Sequence, residues 1–184
     1  ISILVHTCDK YKFCWDGWFY YFNKYWNHNL PWKIYFLNET IDINYKNIMQ
    51  IKSGPGEWSD RLKVGLEKIR SKYIFYFQED VWLQKKVDFD LFLNLYEIVV
   101  KHNINALRIV NKTDPKYYKL NNTSLFNGKI FKFKNKSPYL VSHQPSIINK
   151  DFLIKTLIPN ESPWDNEING TNRLQNEQII KYKW

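Results

Sequence analysis

The run Tyr73-Ile74-Phe75-Tyr76-Phe77 constrains this chain more than any other feature. Five large apolar or aromatic residues in succession do not alternate between core and solvent, so they read as a short strand buried on both faces. A strand of that kind needs helices above and below it. It therefore predicts an α/β architecture with a mostly parallel central sheet. The run passes directly into Gln78-Glu79-Asp80. In open α/β sheets the ligand crevice lies beyond the carboxyl ends of the strands, so these acids are delivered to a crevice edge.

The rest of the first half supplies the expected alternation. Ile1–Thr7 reads as an opening strand, and Cys8–Asn29 places Phe13, Trp15, Trp18, Phe19, Phe22, Tyr25 and Trp26 at helical spacing up to Pro31. Strands are predicted at Lys33–Leu37 and Ile48–Ile51, and a helix from about Glu57 to Ser71 with Leu62, Leu66 and Ile69 inward. A helix over Asp88–Lys101 and a strand over Ala106–Val110 follow. Lys112–Asn127 is polar and loop-like, and Gly128–Lys134 and Tyr139–Ser142 read as strands. Asp151–Leu157 predicts a short helix capped by Asp151, and Pro159–Gly170 a loop entering a short helical turn. Gln178–Trp184 reads as a last strand. There is no internal repeat, linker or low-complexity tail, so a single domain over 1–184 is expected. The chain starts at Ile1 rather than Met, which suits an excised fragment, and a truncated C-terminus fits that reading.

Composition narrows the partners. The 184 residues carry a net charge of +9, which attracts phosphate-bearing partners, although an excess of Lys, Asn and Ile is also what AT-rich coding produces. Aromatics reach 18%, more than a core alone needs, and flat rings at a surface suit sugars or bases. Cys8 and Cys14 make neither a disulfide framework nor a zinc pattern. No apolar run approaches a membrane span and no signal peptide is visible, so a cytoplasmic place is expected, with peripheral contact at the inner membrane face. The chain lacks GxGxxG after its first strand, GxxxxGK[ST] and GxSxG, which argues against dinucleotide oxidoreductases, P-loop enzymes and α/β-hydrolases.

Candidate chemistry gathers at strand ends. Glu79 and Asp80 suit a hard divalent cation bridging phosphate oxygens, or are solvated turn residues. Gly54-Pro55-Gly56-Glu57-Trp58-Ser59-Asp60-Arg61 leads into a helix, whose N-terminus favours anions and whose Arg61 can form charge-assisted bonds to a diphosphate. Taken alone, these residues read better as an ordinary loop-to-helix junction capped by Ser59, with Arg61 on a solvated face. Asp9 serves either a nucleoside or the start of a helix. His143 can line a pocket, bind phosphate or metal, or be a structural hydrogen-bonding residue.

Taken together these pieces resemble GT-A glycosyltransferases of the family 2 kind. In that family a Gly-containing loop precedes an Ala-Arg-Asn helix start, and a hydrophobic strand then ends in Asp-x-Asp. Arg61 matches the motif arginine, while Leu62 stands for the asparagine. Asp80 falls on the second aspartate and Gln78 on the first. With Trp58–Leu62, Tyr76–Asp80, Gln144–Ile148 and Glu161–Glu167, the chain is similar to surface-polysaccharide glycosyltransferases of bacteria and large DNA viruses. The resemblance covers most of the chain. It implies a GT-A-like (Rossmann-like) fold and metal-assisted, inverting transfer of a sugar from a nucleotide-diphosphate donor such as a UDP-sugar. The acceptor would be a glycan or a lipid-linked molecule. It further implies Mn²⁺ or Mg²⁺ held by Asp80 with Glu79, and a donor held by Thr7, Asp9, Asn38, Trp58, Asp60, Arg61 and Glu79. The acceptor would meet Trp164 and His143, and Glu167 or Asp165 would serve as base, with Glu39 and Glu161 as other carboxylates in range.

Two other readings remain open from sequence. The interleaved Lys129-Ile130-Phe131-Lys132-Phe133-Lys134 suits single-stranded nucleic acid, or an edge strand guarded by lysines. Gln78 in place of the first aspartate leaves room for a catalytically silent sugar-binding relative. No specific nucleic-acid partner is expected under the leading reading.

Overall fold

The computed structural model describes residues 1–109 and 120–176. In chain order the elements are β1 (Ser2–His6), a 3-10 turn (Asp9–Tyr11), α1 (Lys12–Tyr25), β2 (Ile34–Asn38), β3 (Met49–Lys52), α2 (Trp58–Lys68), β4 (Tyr73–Gln78) and α3 (Phe89–Lys101). They continue with β5 (Ala106–Arg108), β6 (Leu120–Asn122), β7 (Phe131–Phe133), β8 (Ser146–Asn149), α4 (Lys150–Thr156) and α5 (Pro163–Asn176). Six strands form the central sheet in the order β3-β2-β1-β4-β8-β5. β3, β2, β1 and β4 are parallel, and β8 runs antiparallel between β4 and β5. The mixed α/β class with a mostly parallel sheet is thus observed.

Strict alternation along the buried strands feeds two cores. Ile3, Val5, Phe36, Phe75 and Phe77 face α1, which contributes Trp15, Trp18, Phe19 and Phe22, and α3, which contributes Phe92 and Val99. Leu4, Leu37, Ile74, Tyr76 and Ile148 face the other way onto Leu62 and Leu66 of α2 and Phe152 and Leu153 of α4. Each such side chain contributes about 1.5–3 kcal/mol when buried. Helix α2 sits close to the sheet because Gly65 lacks a side chain. A Cβ there would lie 2.4 Å from Leu37 Cδ2.

Several boundaries differ from the sequence expectation. The long first helix shortens to Lys12–Tyr25 behind a 3-10 turn, and Phe13 is 79% exposed rather than packed. The fourth helix is capped by Asn149, whose side chain accepts the Phe152 N–H at 3.1 Å, not by Asp151. Tyr139–Ser142 forms turns instead of a strand, with Tyr139 at φ 53°. The expected strand Gly128–Lys134 contracts to β7, which pairs with β6 in a separate two-stranded ladder. Val110, Lys112–Lys119 and Gln178–Trp184, assigned from sequence to a strand end, a loop and a strand, lie outside the described residues.

One element was not expected, and another is far longer than expected. β8 completes the sheet, and α5 replaces the loop read over Pro159–Gly170. Ser162 begins α5 with a reciprocal cap. The Asp165 carboxylate accepts the Ser162 N–H and O–H at 3.2 and 2.6 Å, and the Ser162 hydroxyl accepts the Asp165 N–H at 3.2 Å. Pro163 occupies the first helical turn, where its missing N–H costs nothing.

Candidate functional site

Because β1, β2 and β4 are parallel, Thr7, Asn38 and Gln78 all emerge at one edge. β8 enters the sheet at the same edge, with Ser146 opposite Tyr76. The segment His143–Pro145 is therefore brought beside Glu79 and Asp80.

The wall on the β2 side is built on Asp9. Its carboxylate accepts from Asn38 Nδ2 at 3.0 Å, from the backbone N–H groups of Glu39, Thr40 and Ile41 at 3.2, 2.9 and 3.1 Å, and from the Thr40 hydroxyl at 2.5 Å. Burial raises the Asp9 pKa, but the bonds from Thr40 and Asn38 outweigh it and hold the carboxyl below its usual range. Asn38 is fully buried, and its amide is spent on Asp9, the Ile41 carbonyl and Gln50. Both residues thus shape this loop from behind. Asp9 does not cap the following turn, whose N-cap is Cys8.

Arg61 lies on the floor. It is 8% exposed, and Nη1 donates to the Thr7 carbonyl at 2.9 Å. Its Nε is 3.8 Å from Glu39 Oε1 and has no hydrogen-bond partner among the described residues. A desolvated guanidinium with an unspent donor at a strand edge is a fitting anion receptor. The Thr7 hydroxyl accepts from Trp15 Nε1 at 2.9 Å. Glu79 is buried, and burial pushes its pKa up to about 7. The charge of Asp80 adds to this, while its own backbone N–H, Thr7 and Arg61 oppose it. Asp80 is exposed in the turn after β4.

The opposite side is an ordered polar chain. Glu161 accepts bidentately from Arg173 at 2.7 and 2.9 Å and from Asn166 Nδ2 at 2.7 Å. Asn166 Nδ2 also donates to the Thr156 carbonyl, which turns its Oδ1 toward His143 Nε2 at 3.1 Å. His143 therefore carries its proton on Nε2, and buried Nδ1 has no partner among the described residues. Burial drives the His143 pKa down to about 3, against the pull of Asn166. The His143 backbone N–H donates to Glu167 Oε1 at 2.8 Å. The ring packs on Trp58 at 4.2 Å, and Trp58 packs on buried His6 at 5.5 Å. Burial raises the pKa of the Tyr76 hydroxyl, a bond with Gln78 opposes this, and the charges of Glu79, Glu167 and Asp80 add to it. Those three carboxylates therefore lie within electrostatic reach of the Tyr76 hydroxyl.

The candidates now separate by role. Asp60 accepts the Asn160 N–H at 3.0 Å, and Ser59 exchanges bonds with Glu161, so this pair ties the start of α2 to the segment before α5. Asp165 is occupied by its cap, Glu161 by Arg173, and Glu39 by the Asp9 N–H at 2.8 Å. Glu167 accepts the His143 N–H on Oε1, which leaves Oε2 open at this edge. Trp164, one turn earlier on α5, is 68% exposed beside it. Trp58 is 7% exposed and lies under the site rather than open on its surface. His6 is a buried neighbour of this cluster, held neutral by burial and by Arg61. The Glu161–Arg173 pair was not anticipated, because only the full length of helix α5 brings it together.

As a metal ligand set the edge is lean. Among the described residues no three His, Cys, Asp or Glu side chains converge as a cation cage. Glu79 turns inward and does not suit a ligand. Exposed Asp80 suits one carboxylate ligand of a Mg²⁺- or Mn²⁺-like ion.

The fold is a mixed α/β sheet of the glycosyltransferase-like Rossmann type. Among solved structures it is similar to S. aureus TarS 1-349, with a TM-score of 0.56, 13% identity, 95% of this chain covered and 54% of that one. The same fragment in complex with UDP gives the same values. Its complex with UDP-GlcNAc gives a TM-score of 0.50 and 15% identity over 86% of this chain and 48% of that one. The chain thus spans about half the length of these fragments. No protein-family profile and no curated protein matches it.

Proposed function

We propose that this chain is a nucleotide-sugar glycosyltransferase domain whose donor lies at the carboxyl edge of β1, β2 and β4. The observation that carries this reading is the buried, incompletely partnered Arg61 guanidinium on the Thr7 carbonyl, at the strand edge where Asp80 follows β4. The likeness in fold to TarS, a glycosyltransferase solved with UDP and with UDP-GlcNAc, supports it.

The Arg61 guanidinium, ion-paired to Glu39 at 3.8 Å, supplies the positive charge that faces the diphosphate. The loop Glu39–Ile41, fixed by Asp9 and Asn38, forms the nucleoside wall, with Thr7 at its base. A divalent cation at Asp80 would offset charge on the departing diphosphate. Glu167 takes the acceptor proton as the hydroxyl attacks the anomeric carbon, which gives inversion. Trp164 offers a flat face to an acceptor sugar, a glycan or the glycan of a lipid-linked carrier. A silent sugar-binding domain is the second reading, favoured by one feature: Glu79 is sequestered, so Asp80 is the only open acid of the pair after β4.

The test is release of nucleoside diphosphate from a panel of UDP-, GDP-, CDP- and dTDP-sugars with simple glycans as acceptors. The transferase reading expects one donor to turn over, with Glu167→Gln and Asp80→Ala each at least a hundredfold slower and still folded. Nucleotide binding without turnover by the wild type would support the silent reading instead.

A further inference from the structure

Helix α3 has more apolar surface than the sheet uses. Phe92 and Val99 are buried in the sheet core, with Phe89, Leu95, Tyr96 and Ile98 packed against it, yet Leu91, Leu93 and Val100 on the same helix remain exposed. A helix that is apolar on more than one side needs a second partner for its other side. Here Leu91 and Leu95 line a cavity of about 320 Å³ between α3, β5 and the β6–β7 hairpin. Leu107 of β5, Ile109 just beyond it, and Leu125 and Ile130 of the hairpin segment close it.

Two features define what such a cavity would take. Lys129 and Lys132 belong to its lining and are exposed, while among the described residues no carboxylate lines it. Arg108 donates to the Tyr139 and Leu140 carbonyls and lies 4.6 Å over the Phe133 ring, so it braces the hairpin against β5. An apolar cavity of ligand-holding size with cations at its rim matches a molecule with one hydrocarbon chain and an anionic head. Its β5 wall also runs into the transfer edge. The Ile109 N–H donates to the Pro145 carbonyl at 2.8 Å, two residues from His143.

We infer that this cavity binds a single-chain lipid phosphate, with the chain among the leucines and the phosphate at Lys129 and Lys132. The site is separate from the Arg61 edge and stands or falls without the transferase reading. If both hold, it is where the chain of a lipid-linked acceptor lies.

Calorimetric titration of the whole chain with octyl, decyl and dodecyl phosphate below their micelle concentrations tests it. Each added pair of methylenes should tighten binding by roughly tenfold, from about 0.8 kcal/mol per buried CH₂. Inorganic phosphate should not compete at millimolar concentration, and decyl maltoside should bind at least tenfold more weakly than decyl phosphate. Leu91→Trp, at the 39%-exposed rim, should weaken decyl phosphate at least tenfold with an unchanged melting temperature. Lys129→Glu with Lys132→Glu should remove the preference for phosphate over maltoside. Affinity independent of chain length, equal binding of maltoside, competition by inorganic phosphate, indifference to Leu91→Trp, or no binding at all, as when a protein segment occupies the cavity, would each overturn it. UDP binding by the same preparations reports the Arg61 edge separately.

Discussion

The buried neutral ring of His143 should make this protein less stable in mild acid, and the size of the effect follows from its burial. The ring is neutral, bonded through Nε2 to Asn166 and packed on Trp58. Its pKa of about 3 in the fold compares with 6.5 in an unfolded chain. Between those values the unfolded state binds more protons than the native state. The stability His143 contributes is therefore fully present above pH 6.5, declines as the pH falls below it and levels off below about 3. The linkage amounts to about 2 kcal/mol lost at pH 5 and almost none at pH 7.5. His6 shifts in the same direction, so the wild type alone would not isolate the effect. Urea unfolding of wild type and His143→Gln at pH 7.5 and 5.0 does, since Gln retains a donor for Asn166 without titrating. The wild type should lose about 2 kcal/mol more than the variant between the two conditions. Equal losses would refute the assignment of His143 as a buried neutral ring.

Three further perturbations test the frame and the division of roles. Gly65→Ala should destabilise by about 1–2 kcal/mol in urea unfolding, because the new methyl meets Leu37, and Leu37→Ala in the same chain should leave less than the sum of the two single losses. Glu161→Gln leaves Arg173 without its bidentate partner and should cost about 2–3 kcal/mol, read by the same assay. Asp165→Ala removes the α5 cap and should cost about 1 kcal/mol while sugar transfer persists, whereas Glu167→Gln should abolish transfer with little change in melting temperature.

How much of this was legible in the sequence depends on how local each signal is. β1, β4, α2 and α3 declare themselves through uninterrupted apolar runs or helical spacing. β8 does not, because Ser146–Asn149 is four residues long and its pairing between β4 and β5 depends on chain far away. Pro163 and Gly170 read as helix breakers, yet Pro163 sits where a proline is harmless and Gly170 is a close-approach point. A Cβ at Gly170 would come 3.1 Å from Val141. Phe13 followed the helical pattern of its neighbours but fell on the outward side of α1. At the site, Arg61 and Asp80 stand out from sequence because helix starts and strand ends deliver residues predictably, whereas Glu167 is singled out only by the resemblance. That Asp9, Asn38 and Asp60 spend their polar groups on neighbouring backbone could be known only once the loops were placed.

The central claim is a donor site at the Arg61 edge, and its most direct measurement is a thermal-shift titration with UDP, GDP, CDP and dTDP, each with and without Mn²⁺, on wild type, Arg61→Met and Asp80→Ala. A ligand that binds only the native state raises the melting temperature in proportion to its saturation. One nucleotide should stabilise the wild type, Arg61→Met should lose that response altogether, and Asp80→Ala should lose the part that depends on Mn²⁺. No shift with any nucleotide, or an undiminished shift in Arg61→Met, would contradict the account.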